Sequence, residues 1–280
     1  MTTGGKKRRL VTDAIFADEI GVEYAIHDEF RLRSAYQPIF TPRGDLLRMV
    51  AVEAVVEAHR KGGSVCPAVF LDTIDPDERS YIGALCRTLH VRNFRNLGLR
   101  NASLFFGFDS DIDTRDGAIS ELRQMSGRLE ELDLHPGLVM CQIDVRHGDD
   151  AAPPGEMVRE MRASGLGVVL TGFGVAEGGE ALLNLVRPDV VRVDGPLFAL
   201  LCSYPAAGRL FGRLVTMLKT GGTQVLVEGI ATPRQLQVAV EAGADLLQGV
   251  LLSKPLPAGA FFDQGPLVTG ALLPRTGSGI

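Results

Sequence analysis

Asp109, Asp111 and Asp113 alternate along one stretch, and a D-x-D-x-D run is how a loop gathers oxygen ligands for calcium. Neither the glycine nor the terminal glutamate of a calcium loop follows, so a solvated loop is the expectation. The glycines around Phe173 have the composition of a backbone nest for an anion, against the plainer reading of a flexible loop. His27, His59, His90, His135 and His147 have no mutual spacing that suggests a metal cluster or a Ser/His/Asp triad, and His90 reads as a helix-surface or satisfied core residue. Cys66, Cys86, Cys141 and Cys202 form no C-x-x-C pair and lie in apolar stretches, which favours buried free thiols over disulfides or zinc. Glu53 stands in the apolar run around Val50–Ala58, where a salt bridge or an exposed position must accommodate it.

The elements that would position such residues are short apolar runs alternating with helical patterns. Strand-like runs lie at Met49–Val56, Ser103–Phe108, Leu138–Val145, Gly167–Leu170, Val190–Val193, Gln224–Val227 and Leu246–Leu252. Most are continuously apolar, as parallel strands covered on both faces require. Between them, Glu156 to Ser164 reads as a helix stopped by Gly165, and Thr232-Pro233-Arg234-Gln235 as a capped helix start that runs to Gly243. In the C-terminal half the strands recur at the spacing of a strand plus its crossover helix. No glycine-rich nucleotide fingerprint follows any strand, so a closed (β/α) barrel fits better than an open sheet.

The expected division is a polar N-terminal extension with a short, weakly amphipathic helix over 1–28, a barrel domain over 29–264, and a flexible tail over 265–280. At 45% hydrophobic and 22% charged residues, the chain can bury one large core. There is no apolar run long enough for a membrane span, and no signal-peptide core follows the basic start, so a cytoplasmic protein is expected. The net charge of −5 argues against a nucleic-acid coat, and Lys6-Lys7-Arg8-Arg9 reads as a solvated tail.

Three segments carry a family resemblance: Glu29–Phe40 (EFRLRSAYQPIF), Glu53-Ala54-Val55 within Val50–Ala58, and Val225–Pro257 (VLVEGIATPRQLQVAVEAGADLLQGVLLSKPLP). Together they resemble the EAL-domain family, bacterial proteins that bind or hydrolyse cyclic di-GMP, over about residues 29–264. The resemblance implies a TIM-like α/β barrel with one antiparallel strand. It also implies hydrolysis assisted by two Mg²⁺ or Mn²⁺ ions, whose ligands converge at the C-terminal mouth of the barrel.

Position by position, the implied ligand set is depleted. Glu53, Glu228 and Gln248 match family residues. The family's asparagine falls at Gly107, a glutamate at Gln142, the paired aspartates at Thr171 and Gly172, the lysine at Arg192, and a second loop glutamate at Ala231. The phosphate-contacting arginine falls at Glu57, which repels a phosphate. Losing even an outer partner of a metal site costs about 10–100-fold in metal affinity or activity, and these positions are implied direct ligands, so no metal and no catalytic residue is expected, with Glu53, Gln142, Arg192 and Glu228 as relics. Gln37, Glu53 and Gln248 remain as candidates for a weakly bound ligand. Arg192, with Gln142 and Gln248, is expected to bridge Glu53 and Glu228 in place of metal.

The function that follows is a catalytically inactive signalling module acting through a protein partner or weak ligand sensing. The alternatives are an active Mg²⁺- or Mn²⁺-dependent phosphodiesterase and a cyclic di-GMP receptor without hydrolysis. In the family, the loop corresponding to Gly174–Glu180 helps form a dimer, which makes homodimerisation a further expectation.

Overall fold

The computed structural model describes residues 10–99, 101–108, 115–144, 155–172 and 179–273. Lys6–Arg9, Asp109, Asp111, Asp113, His147, Phe173 and loop residues 174–178 lie outside that set.

Eight strands close a barrel: β1 (Phe30–Arg43), β2 (Leu46–Arg60), β3 (Ser103–Phe108), β4 (Val139–Asp144), β5 (Gly167–Thr171), β6 (Val190–Val193), β7 (Gln224–Val227) and β8 (Leu246–Leu247). From β2 through β8 each strand pairs in parallel with the next. β1 closes the ring, antiparallel to β2 on one side and to β8 on the other. The expected barrel and its one reversed strand are therefore both present.

Residue parity along the strands sorts the interior from the exterior. Ile39, Ala51, Phe105, Val169, Val190, Leu226 and Leu246, one from each of seven strands, form a separate apolar cluster with Met140 of β4 packed against it. That is the filling of the barrel. The neighbouring positions, such as Val52, Phe106, Cys141, Val168, Val191 and Val225, join the larger core outside. There they meet Leu122, Met161, Phe198, Val215 and Leu236 of the surrounding helices. The helix at Pro233–Glu241 begins with the expected capping box, in which the Thr232 hydroxyl accepts from Gln235 N while the Gln235 side chain accepts from Thr232 N.

Several expectations are corrected. Residues 15–27 are not helical beyond the 3-10 turn Val11–Ala14; Ile15–Ala17 and Glu23–His27 are strands, the second paired with β1. An open edge of β1 offers backbone partners that outweigh a weak helical pattern. The final apolar run is a strand only at Leu246–Leu247, because the chain then folds onto the preceding loop: Ile230 N donates to Gln248 O and Leu251 N to Ile230 O. The tail does not begin at residue 265, since Leu267–Val268 pairs with Leu46 and Leu47 and Thr269 N donates to Asp45 O. Cys66 is exposed rather than buried, and all four cysteines are free thiols. His90 is a satisfied core residue, its Nδ1 2.8 Å from the Ser34 hydroxyl, and burial holds its pKa down at about 3.

Candidate functional site

Two residues beyond each member of the inner cluster, the same parity reaches the barrel mouth. Ala51 leads to Glu53, Phe105 to Gly107, Met140 to Gln142, Val169 to Thr171, Val190 to Arg192, Leu226 to Glu228 and Leu246 to Gln248. On the reversed strand Ile39 leads backward to Gln37, which lies opposite Glu53 in the β1–β2 register. Backbone bonds from Glu228 N to Val193 O and from Gln248 N to Val227 O extend the parallel ladder past its regular strands. They hold these two side chains in the same row.

Glu53 is the hub of that row. Gln142 Nε2 donates to its Oε1 at 2.7 Å, and Gln248 Nε2 donates to its Oε2 at 2.8 Å. Arg192 Nη2 lies 2.9 Å from Glu53 Oε1, while Arg192 Nη1 donates to Glu228 Oε2 at 3.3 Å. Arg192 thus bridges the two carboxylates, with both glutamines closing on the deeper one. Burial pushes the Glu53 carboxyl up, but the Arg192 charge and the hydrogen bonds of Arg192, Gln142 and Gln248 outweigh it and hold the group below its ordinary range. Burial disfavours the Arg192 cation too, yet Glu53, Glu228 and Asp194 raise its pKa further.

This arrangement does not fit a divalent-cation centre. Both oxygens of Glu53 face N–H donors, and a guanidinium already balances its charge. Gly107 offers no side chain, although a Cβ there would meet nothing within 4 Å. The Thr171 hydroxyl donates to Ile143 O at 3.3 Å, and Gly172, at φ +74°, offers no side chain.

Glu53, Gln142, Arg192, Glu228 and Gln248 are therefore assembled in one network. Gln37 is spoken for differently: its Nε2 donates to Ser253 O at 3.0 Å, tying β1 to the segment after β8. Glu57 stands two further steps along β2, half-exposed, with its Oε2 3.8 Å from His59 Nε2. Asp194, at the N-cap just past β6, went unnoticed in the sequence, although its i+2 spacing from Arg192 is the signal that places it. Arg87 was also missed. It makes a bidentate pair with Glu121 at 3.1 and 2.6 Å and donates to Gly107 O at 3.2 Å, so it braces the mouth from behind.

Comparisons with known proteins agree with this architecture. The model of the EAL domain family matches residues 22–255, starting earlier and ending earlier than the span read from the sequence. A cyclic di-GMP phosphodiesterase of Escherichia coli, PdeH, is 31% identical over 88 residues, which cover 31% of this chain and 34% of the relative. RocR, a cyclic di-GMP phosphodiesterase of Pseudomonas aeruginosa, is 24% identical over 149 residues, covering 52% of this chain and 38% of the relative. The matched regions thus span well under half of those relatives. Among solved structures, the EAL domain of Mycobacterium smegmatis DcpA aligns with a TM-score of 0.65 at 22% identity, covering 81% of this chain and 94% of that one. The PaMucR phosphodiesterase in complex with cyclic di-GMP aligns with a TM-score of 0.69 at 21% identity, covering 81% and 93%. BlrP1 of Klebsiella pneumoniae, solved with manganese and cyclic di-GMP, gives 0.69 at 20%, covering 85% and 59%. On the match across residues 22–255, the chain belongs to the EAL domain family.

Proposed function

We propose that this chain is a catalytically inactive EAL module of the cytoplasm, which acts through protein contacts or weak ligand sensing rather than by cleaving cyclic di-GMP. The observation that carries the reading is the Arg192 bridge between Glu53 and Glu228. A two-metal hydrolysis needs carboxylate and amide oxygens turned toward a shared pair of cations. Here the amide nitrogens and the guanidinium turn toward Glu53 instead. The cluster keeps a limited capacity for a polar ligand, since the buried Arg192 Nε and Gln248 Oε1 have no hydrogen-bond partner. No helix among the described residues is long and apolar enough to cross a membrane. Leu185, Leu200 and Leu210 on the helices between β5 and β7, and Tyr204 at the junction of two of those helices, are each more than half exposed and supply apolar surface for a protein partner.

Incubation of the purified protein with cyclic di-GMP and Mg²⁺ or Mn²⁺ tests the reading. No linear product above background is expected. Multiple turnovers that disappear in Glu53→Ala would overturn it.

A further inference from the structure

A second constellation lies away from the barrel mouth, where the strand Glu23–His27 turns into β1. The His27 side chain is buried, and its Nε2 points between two carboxylates, 3.7 Å from Asp28 Oδ2 and 3.7 Å from Glu78 Oε2. Those separations are too long for hydrogen bonds. The three ligand atoms nevertheless lie within 4.8 Å of one another. Nδ1 on the other side of the ring is also buried and has no hydrogen-bond partner. The residue is only 4% exposed, and with both carboxylates beyond hydrogen-bonding distance the Nε2 lone pair is available to a ligand seated between them.

The framework around these atoms is built. Asp28 sits in a left-handed backbone conformation, φ 50°, at the tip of the hairpin joining Glu23–His27 to β1. Glu78 ends the 3-10 turn Pro76–Glu78, which the Asp75 side chain caps by accepting from Asp77 N at 3.0 Å. Two metal bonds of about 2.0–2.2 Å span such a gap when they open at about 120°, close to the tetrahedral preference of zinc. One imidazole nitrogen with two carboxylate oxygens is a donor set for a borderline transition cation, whereas magnesium and calcium take oxygen alone.

We propose that His27 Nε2, Asp28 Oδ2 and Glu78 Oε2 form a binding site for a zinc-class divalent cation, with the exposed side of Asp28 leaving its fourth position to solvent. The ion would clamp the N-terminal hairpin to the turn that starts the helix Arg79–Phe94. The site is separate from the barrel mouth and stands or falls apart from the proposed function.

The test is titration of the chelator-stripped full chain with Zn²⁺ against a chromophoric competitor, followed by melting with and without the ion. About one equivalent of Zn²⁺ should bind, and it should raise the melting temperature. Glu78→Gln and His27→Ala should each weaken binding by about 10–100-fold and abolish the thermal shift. Cys66→Ser, which removes the exposed thiol as a competing ligand, should leave both unchanged. Glu78→Gln, at a half-exposed position, decides the matter if His27→Ala does not fold. Failure of the parent chain to take up Zn²⁺, uptake that survives both ligand substitutions, or uptake lost in Cys66→Ser would each overturn the assignment.

Discussion

At Arg192 a planar organic cation stands between two carboxylates and offsets much of their mutual repulsion. Its two Nη atoms reach Glu53 and Glu228 at once, a geometry that the single ammonium of a lysine does not reproduce. Removing one partner of a buried pair leaves a stranded charge and costs about 3–5 kcal/mol, toward the low end here because Glu228 is partly exposed. Arg192→Ala should therefore lower the denaturant midpoint clearly. Adding Glu53→Gln should recover part of the loss, because the stranded charge disappears. Simple additivity in the double variant would show that the pair is not coupled. The same carboxylate sets an acid limb. Its folded pKa lies below the ordinary 4.5, so its stabilising contribution is complete above that value and is lost as the pH falls through the lower folded one. Stability measured from pH 6 downward should fall less steeply in Glu53→Gln than in the parent. The network was legible from residue identity, since a Lys-to-Arg change beside vanished aspartates names both the loss and its replacement. The engagement of Gln37 by the Ser253 carbonyl was not, because a backbone acceptor carries no residue type that marks it.

Elements turn these identities into geometry through strand parity. β2 directs Glu53 and then, four residues on, Glu57 to the same side of the strand, which puts a second carboxylate beyond Glu53 toward the end of β2. Cyclic di-GMP should accordingly bind weakly, and calorimetry should show tighter binding by Glu57→Arg, where a carboxylate gives way to a bidentate donor. Tight binding by the parent chain, indifferent to that change, would mean that the ligand approaches elsewhere. The seven parallel strands were readable because their apolar runs are short, continuous and regularly spaced. The hairpin at residues 15–27 was not. Its weak amphipathicity suits either period, and only the free edge of β1, a tertiary fact, decides for strands.

Across the whole molecule, the exposed leucines on the helices between β5 and β7, with Tyr204 at a helix junction, are places where a second copy or another protein would gain apolar burial. On the proposed inactive reading, any self-association should not respond to metal. Sedimentation at several concentrations, with and without Mg²⁺, should show the same mass distribution in both conditions, and a Mg²⁺-dependent shift would count against the inactive reading. The reversed β1 also sets a timetable. Its β2 side is satisfied by a hairpin neighbour as soon as residue 60 exists, and Glu23–His27 covers Phe30–Leu32 on its other side early, but there Phe40 waits for Leu247, and Ala35 and Tyr36 wait for Leu256–Pro257. During synthesis the ring stays an open sheet until β8 has emerged. Such distant closure makes a slow, late step in which an unpaired edge stays available to other chains. A nascent or truncated copy ending before β8 is thus the form of this protein most in need of a chaperone.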